Sequence, residues 1–222
     1  MHSSLLLWFA SNRRHFPWRK RNANLYQRVV SEILLQRTRA EVAASFLPQF
    51  TKRYPSWKKL ALANEACLAE FLRPLGLFRR RAASLINLAR VMAERNGRFP
   101  REKSEVMALP AVGQYVCNAV MLFSGRQAEP LLDVNMARVI ERCFGPRKLV
   151  DIRYDPELQD ISRLVIFGPR AIDLNWAILD LGALLCRKSR PHCSDCPLSR
   201  LCDFNLERSP DMRPAAGRRS VL

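Results

Sequence analysis

Four cysteines, Cys186, Cys193, Cys196 and Cys202, stand in the order C-x6-C-x2-C-x5-C near the C-terminus. Four thiolates within 17 residues can wrap a single metal centre, which forces the chain around them to close on itself. The central C-x2-C knuckle suits either tetrahedral zinc or an iron-sulfur cube. Zinc ribbons pair two such knuckles across a longer spacer, whereas here one knuckle is flanked by unequal loops, a pattern that favours the cluster.

A disulfide framework is the rival use of cysteine. Seven cysteines is an odd number, and a chain of 222 residues has no need of staples to complete a core. The apolar run Leu5 to Ala10 is short and no Lys or Arg precedes it, so it lacks the design of a secretory signal. A reducing cytoplasm is the expected compartment, and Cys67, Cys117 and Cys143 read as small buried residues. No apolar stretch approaches the roughly 20 residues a membrane span requires.

Charge narrows the partner. Lys and Arg number 37 against 20 Asp and Glu, a formal net charge of +17, and 30 of those cations are Arg. A basic excess of this size points to nucleic acid, and Arg suits it because its planar fork binds phosphate in bidentate fashion and stacks on bases.

The periodic segments are helical almost throughout, so the expected class is all-α in one or two lobes. Tyr26 to Phe50 places Val29, Val30, Ile33, Leu34, Val42 and Phe46 on one stripe. Glu65–Leu72, Arg79–Glu94, Lys103–Leu109, Gln114–Phe123, Asn135–Phe144, Pro156–Phe167 and Ile172–Leu185 repeat the pattern, separated by Gly and Pro. The stretch from Arg208 to Leu222, rich in Pro, Arg and Ser, reads as a solvated tail.

Between two of these helices lies Leu109-Pro110-Ala111-Val112-Gly113, followed by Gln114. So tight a turn leaves backbone N–H groups unpaired at the start of the next helix, where the dipole also favours an anion, and a DNA phosphate is the natural occupant. Twenty residues beyond Gly113 is Asp133, in Leu132-Asp133-Val134-Asn135-Met136-Ala137-Arg138. Hairpin, Asp in a D-x-N-x-x-R setting and the four-cysteine pattern together resemble the helix-hairpin-helix DNA glycosylase superfamily that includes endonuclease III, over roughly residues 8 to 204. The resemblance implies a two-lobed glycosylase fold. A helical lobe over 25–127 would contain the hairpin, residues 1–24 with 128–206 would form a lobe around a 4Fe-4S cluster, and 207–222 would be the tail. It also implies a monomer acting on double-stranded DNA, with Gln36, Arg37, Leu109, Ala111, Val112, Gly113 and Gln114 at the DNA. Arg187, Lys188 and Arg190, between the first two cluster ligands, are further candidates for phosphate contact.

In such enzymes the Asp is the carboxylate beside the flipped nucleotide, a role that falls here to Asp133. Breaking an N-glycosidic bond passes through an oxocarbenium-like sugar, which a carboxylate stabilises. The base must first leave the stack. Phe16-Pro17-Trp18-Arg19 and Ser31-Glu32-Ile33-Leu34-Leu35-Gln36-Arg37-Thr38 resemble the adenine glycosylases of the MutY type and the thymine glycosylases that act on G:T mismatches. In both, the Glu of this motif lies in the base pocket, so Glu32 is the second carboxylate. Two residues past the hairpin's last Gly, endonuclease III-like members carry a Lys nucleophile. Here it is Tyr115, which cannot form an imine, so the chain resembles the monofunctional branch. Arg37 stands where MutY-type enzymes show a second Gln, and no 8-oxoguanine-reading domain follows Cys202. Thymine or uracil opposite guanine is therefore the expected substrate, adenine the alternative, and a non-catalytic iron-sulfur DNA-binding protein the alternative of another class. Ala111 departs from the family's usual LPGVG.

Overall fold

The computed structural model describes residues 1–208, and the solvated-tail reading lies outside the described residues from position 209 on. The described residues form helices α1 (His2–Asn12), α2 (Leu25–Leu35), α3 (Ala40–Arg53), α4 (Trp57–Ala61), α5 (Glu65–Leu72), α6 (Phe78–Glu94), α7 (Lys103–Met107), α8 (Gln114–Phe123), α9 (Val134–Phe144), α10 (Pro156–Val165), α11 (Ala171–Leu184) and α12 (Asp203–Arg208). Short 3-10 turns occupy Pro17–Arg19 and Arg73–Leu75, and no strand occurs among the described residues, in line with the all-α expectation. None of these helices is long and apolar enough to cross a membrane. The chain divides into two compact units, one of His15–Glu129 and one of Met1–Arg14 with the chain from Pro130 onward.

In the first unit α2 is buried over most of its length. Asn24 opens it with a capping box, its side chain accepting from the Gln27 N–H at 2.9 Å while Gln27 Oε1 accepts from the Asn24 N–H at 3.0 Å. From there Tyr26 and the whole run Val29 to Leu34 are buried. Leu85, Ile86, Leu88, Ala89 and Met92 of α6 are fully buried, and α4 and α5 pack on that helix. Phe46, Phe50, Tyr54 and Phe71 stack into an aromatic cluster, and the Tyr26 ring meets Trp57 edge-on at 4.7 Å. Phe16 and Trp18, stacked at 4.7 Å, belong to the same core.

The periodic stretch 26–50 is not one helix. It breaks after Leu35 because Arg37 takes a left-handed φ of 56° and the side chain of Arg81, 45 residues along the chain, captures the Gln36 carbonyl at 2.6 Å. Periodicity alone cannot see that partner. Helix α4, too short to show a period, starts at Ser56, whose hydroxyl accepts from Lys59 N–H, and it buries Trp57 and Leu60. Cys67 is exposed rather than buried, since α5 turns Leu68, Ala69 and Leu72 inward and leaves its first turn facing out.

In the second unit α11 is buried along most of its length and packs against α9 and α1. Its polar residues are satisfied inside. Asn175 accepts from the Leu131 N–H at 2.7 Å and donates to the Ala171 carbonyl, and the fully buried Asp180 carboxylate takes the Arg14 N–H and Nε at 2.9 and 2.8 Å. Such pairing is what allows a charge inside. Asp155 caps α10, and its carboxyl is held below the ordinary range by the N–H groups of Leu158, Leu149 and Lys148.

Gly182 of α11 lies directly against α9. A Cβ there would sit 3.0 Å from Asn135 Cβ and 3.1 Å from the Asn135 carbonyl oxygen. Gly182→Ala is expected to destabilise the protein by about 1–3 kcal/mol, as overpacked cores do, measured as a lower urea midpoint at unchanged slope. An unchanged midpoint would mean that the two helices have slack at this crossing.

Candidate functional site

Glu32 sits in α2 with 3 % of its surface exposed, among Val29, Val30 and Ile33. Helix α8 packs beside α2 and carries Tyr115 in its first turn. The Tyr115 hydroxyl donates to Glu32 Oε2 at 3.0 Å. The structure thus joins two sequence-predicted site residues 83 positions apart, and gives a buried carboxylate the hydrogen bond it requires.

The hairpin runs from α7 through Ala108–Gly113 into α8. Leu109 and Val112 are buried and anchor the turn in the core, so their side chains hold the hairpin instead of facing outward. Ala111 is exposed at φ 60°, the left-handed conformation a Gly would take freely, so the turn keeps its course at a cost of about 1–2 kcal/mol. Gly113 has an extended backbone, and a Cβ on it would meet nothing within 4 Å. Its small size therefore keeps the outer surface open rather than relieving an inner contact. No side chain caps the start of α8, leaving its first amides to an outside acceptor.

Gln36 and Arg37 are exposed on the α2–α3 connection. Arg81, 4 % exposed, donates to the carbonyls of Gln36 (2.6 Å) and Leu75 (3.1 Å) and to Thr38 Oγ1 (3.1 Å). Burial lowers its pKa from the usual arginine value, and the three acceptors are what make an interior guanidinium tolerable. The second connection it grips carries Leu77, which the sequence reading missed. Leu77 is 49 % exposed at φ 50°, next to Gly76 at φ 70°. An apolar residue where a helix start usually has Ser, Thr, Asp or Asn was the available signal.

Asp133 lies in the second unit as the N-cap of α9. Its Oδ1 accepts from the N–H groups of Asn135 and Met136 at 2.9 and 2.8 Å, and Oδ2 from Asn135 Nδ2 at 2.8 Å. Arg138 extends the network, donating to Asn135 Oδ1 at 3.0 Å and to the carbonyls of Gly182 and Cys186, both at 2.8 Å.

Cys186, Cys193, Cys196 and Cys202 line one small recess, walled by Leu185, Pro191 and Phe204. No group of three or more His, Cys, Asp or Glu among the described residues is set closely enough for a single metal ion. A four-iron cube makes a different demand, since each thiolate binds its own iron and the sulfurs stand apart around a cavity. The residues fit that group. Burial pushes the Cys196 thiol up to about 11 and raises Cys193, whose neighbouring thiols add to the effect, so these two ionise readily only beside a cationic centre. Arg142 donates to Cys186 Sγ at 3.3 Å and to the carbonyls of Arg187 and Lys188 at 2.8 and 3.0 Å. Arg187, Lys188 and Arg190 are exposed on the loop so held. Cys143 is buried, as expected, and its thiol bonds to Cys202, which that bond holds below the usual cysteine value.

Residues 30–161 match the family described as HhH-GPD superfamily base excision DNA repair protein. The chain belongs to this superfamily. A thymine-DNA glycosylase from Aeropyrum pernix is 34 % identical over 197 residues, spanning 86 % of this chain and 87 % of that protein. A thymine/uracil-DNA glycosylase from Methanothermobacter thermautotrophicus is 31 % identical, spanning 91 % of each. The solved structure of a thermostable thymine-DNA glycosylase superimposes with a TM-score of 0.84 at 30 % identity, covering 92 % of this chain and 94 % of that one. Like its HhH-GPD relatives the chain is a DNA glycosylase, an enzyme acting on N-glycosyl bonds.

Because the hairpin pays for Ala111 in backbone strain, Ala111→Gly is expected to stabilise the protein by about 0.5–1 kcal/mol once Gly's greater unfolded freedom is subtracted. Thermal melting checks it, and a lower melting temperature would show that the Ala111 methyl has a compensating contact.

Proposed function

We propose that this HhH-GPD glycosylase acts as a monomer on double-stranded DNA and hydrolytically removes thymine or uracil mispaired with guanine, leaving an abasic site. The observation that carries the reading is the Tyr115–Glu32 hydrogen bond, which puts a phenol where a lyase would need an amine and ties it to a buried carboxylate. The names of the thymine and thymine/uracil relatives support the substrate, as does Arg37 following Gln36. The free thiols Cys67, Cys117 and Cys143 suit a reducing cytoplasm.

In this reading the base is flipped out and Glu32 eases its departure by protonating or hydrogen-bonding it, with the Tyr115 hydroxyl orienting the carboxyl group. The C1′–N1 bond breaks with its electron pair leaving on the base. Asp133, locked by three hydrogen bonds, faces the positive sugar and takes a proton from the water that adds at C1′. The uncapped α8 N-terminus and the Arg187–Arg190 loop grip phosphates without reading sequence.

Cys186, Cys193, Cys196 and Cys202 would hold a 4Fe-4S cluster, which when bound supplies a structural tie, all four thiolates being used as ligands. Purified protein should be brown and carry about four irons per chain. A colourless protein with one zinc would overturn this assignment and leave the glycosylase reading standing.

Duplexes with T, U or A opposite G or 8-oxoguanine, scored for abasic sites after alkali, test the substrate. Release of T or U opposite G is expected, and adenine release opposite 8-oxoguanine would shift the assignment to the MutY type. Strand scission before alkali, or a borohydride-trapped adduct, would contradict the role of Tyr115. Asp133→Asn should lower single-turnover release by about 100-fold or more while leaving mismatch binding and stability nearly unchanged, because Asn caps a helix as well as Asp. Turnover like that of the wild type would remove Asp133 from the mechanism.

A further inference from the structure

Arg81 has properties that its place in the sequence does not explain. It lies in the first turn of α6, where the helix dipole disfavours a cation, and it is almost completely buried. Its guanidinium takes acceptors from two separate connections: the Gln36 carbonyl and Thr38 Oγ1 from one, the Leu75 carbonyl from the other. Thr38 Oγ1 in turn donates to the Leu75 carbonyl at 3.1 Å, closing the set. Each connection then presents one exposed non-glycine residue in the left-handed region, Arg37 at φ 56° and Leu77 at φ 50°. Strained backbone of this kind persists only where its surroundings over-determine it, and here the shared determinant is one planar fork.

We propose that Arg81 is a positioning residue that locks Arg37 and Leu77 into one rigid two-pronged probe, so that both side chains meet the duplex in fixed relation while a paired base is extracted. The inference rests on the proposed base-release function and deepens it, assigning Arg81 to the extraction step and not to bond cleavage. The fork matters because it reaches both connections at once, and with the Thr38–Leu75 bond it fixes the spacing of two segments that must meet the same short stretch of DNA together. A lysine in its place keeps the charge and loses the planar geometry.

The test compares two duplexes in single-turnover release by wild-type protein and Arg81→Lys. In one the target base is mispaired with guanine; in the other it stands opposite an abasic site, where little pairing opposes extraction. Arg81→Lys should slow release from the mispair by about tenfold or more and from the unpaired site by less than about threefold. A purely structural role would slow both in parallel with the folded fraction, which thermal melting reports. The Arg37→Ala, Arg81→Lys double variant should be no slower than the worse single variant, since Arg81 acts through the prongs. Equal slowing on both duplexes, or full additivity in the double variant, overturns the proposal. Should Arg81→Lys fail to fold, Thr38→Val removes one acceptor and the Leu75 contact without changing charge, and must show the same substrate-dependent slowing. Wild-type protein that releases the base from neither duplex would sink the function itself and the positioning role with it.

Discussion

A carboxyl group buried in an apolar helix is the demand around which the first unit is arranged. Left alone among Val29, Val30 and Ile33, Glu32 would cost several kcal/mol. It is tolerable because α8 lies against α2 and offers the Tyr115 hydroxyl at 3.0 Å. That in turn requires the hairpin before α8 to be rooted, which Leu109 and Val112 accomplish by entering the core while Ala111 and Gly113 stay outside. The same helix that satisfies the carboxylate begins without a side-chain cap. On the proposed function, catalytic need and structural need meet in one contact.

The second unit solves a related problem with charges it cannot expel. Asp180, Asp155 and Asp133 are each held by backbone N–H groups, with Arg14 added for Asp180. A carboxylate fixed by backbone amides has little rotational freedom, which on the proposed function suits Asp133 to face a short-lived cation. The close approach at Gly182 and the bonds from Arg138 join the start of α9 to the segment that carries Cys186.

Much of this was legible because it is local. Helix α8 begins and ends where its apolar spacing says, α9 differs by one residue, and the cysteine spacing anticipates one recess. Glu32 stood out as a charge among apolar neighbours. What was not legible depends on partners distant in sequence. The break after Leu35 is made by Arg81, and the bond from Tyr115 to Glu32 spans 83 positions. Helix α4 is too short for a period, Leu77 carries no pattern because it is exposed, and Cys67 looked like a core residue only because small apolar residues usually are.

On the proposed function, the uncapped start of α8 and the cationic loop after Cys186 are two kinds of grip with different physics. Backbone amides carry no net charge, so a phosphate resting on them keeps its ion atmosphere largely intact, whereas each Arg or Lys that neutralises a phosphate sets counterions free. Rising ionic strength therefore loosens the loop and spares the hairpin. An enzyme equipped with both can travel along DNA on a salt-sensitive hold and still, at the moment of arrest, rest on one that the surrounding medium hardly touches.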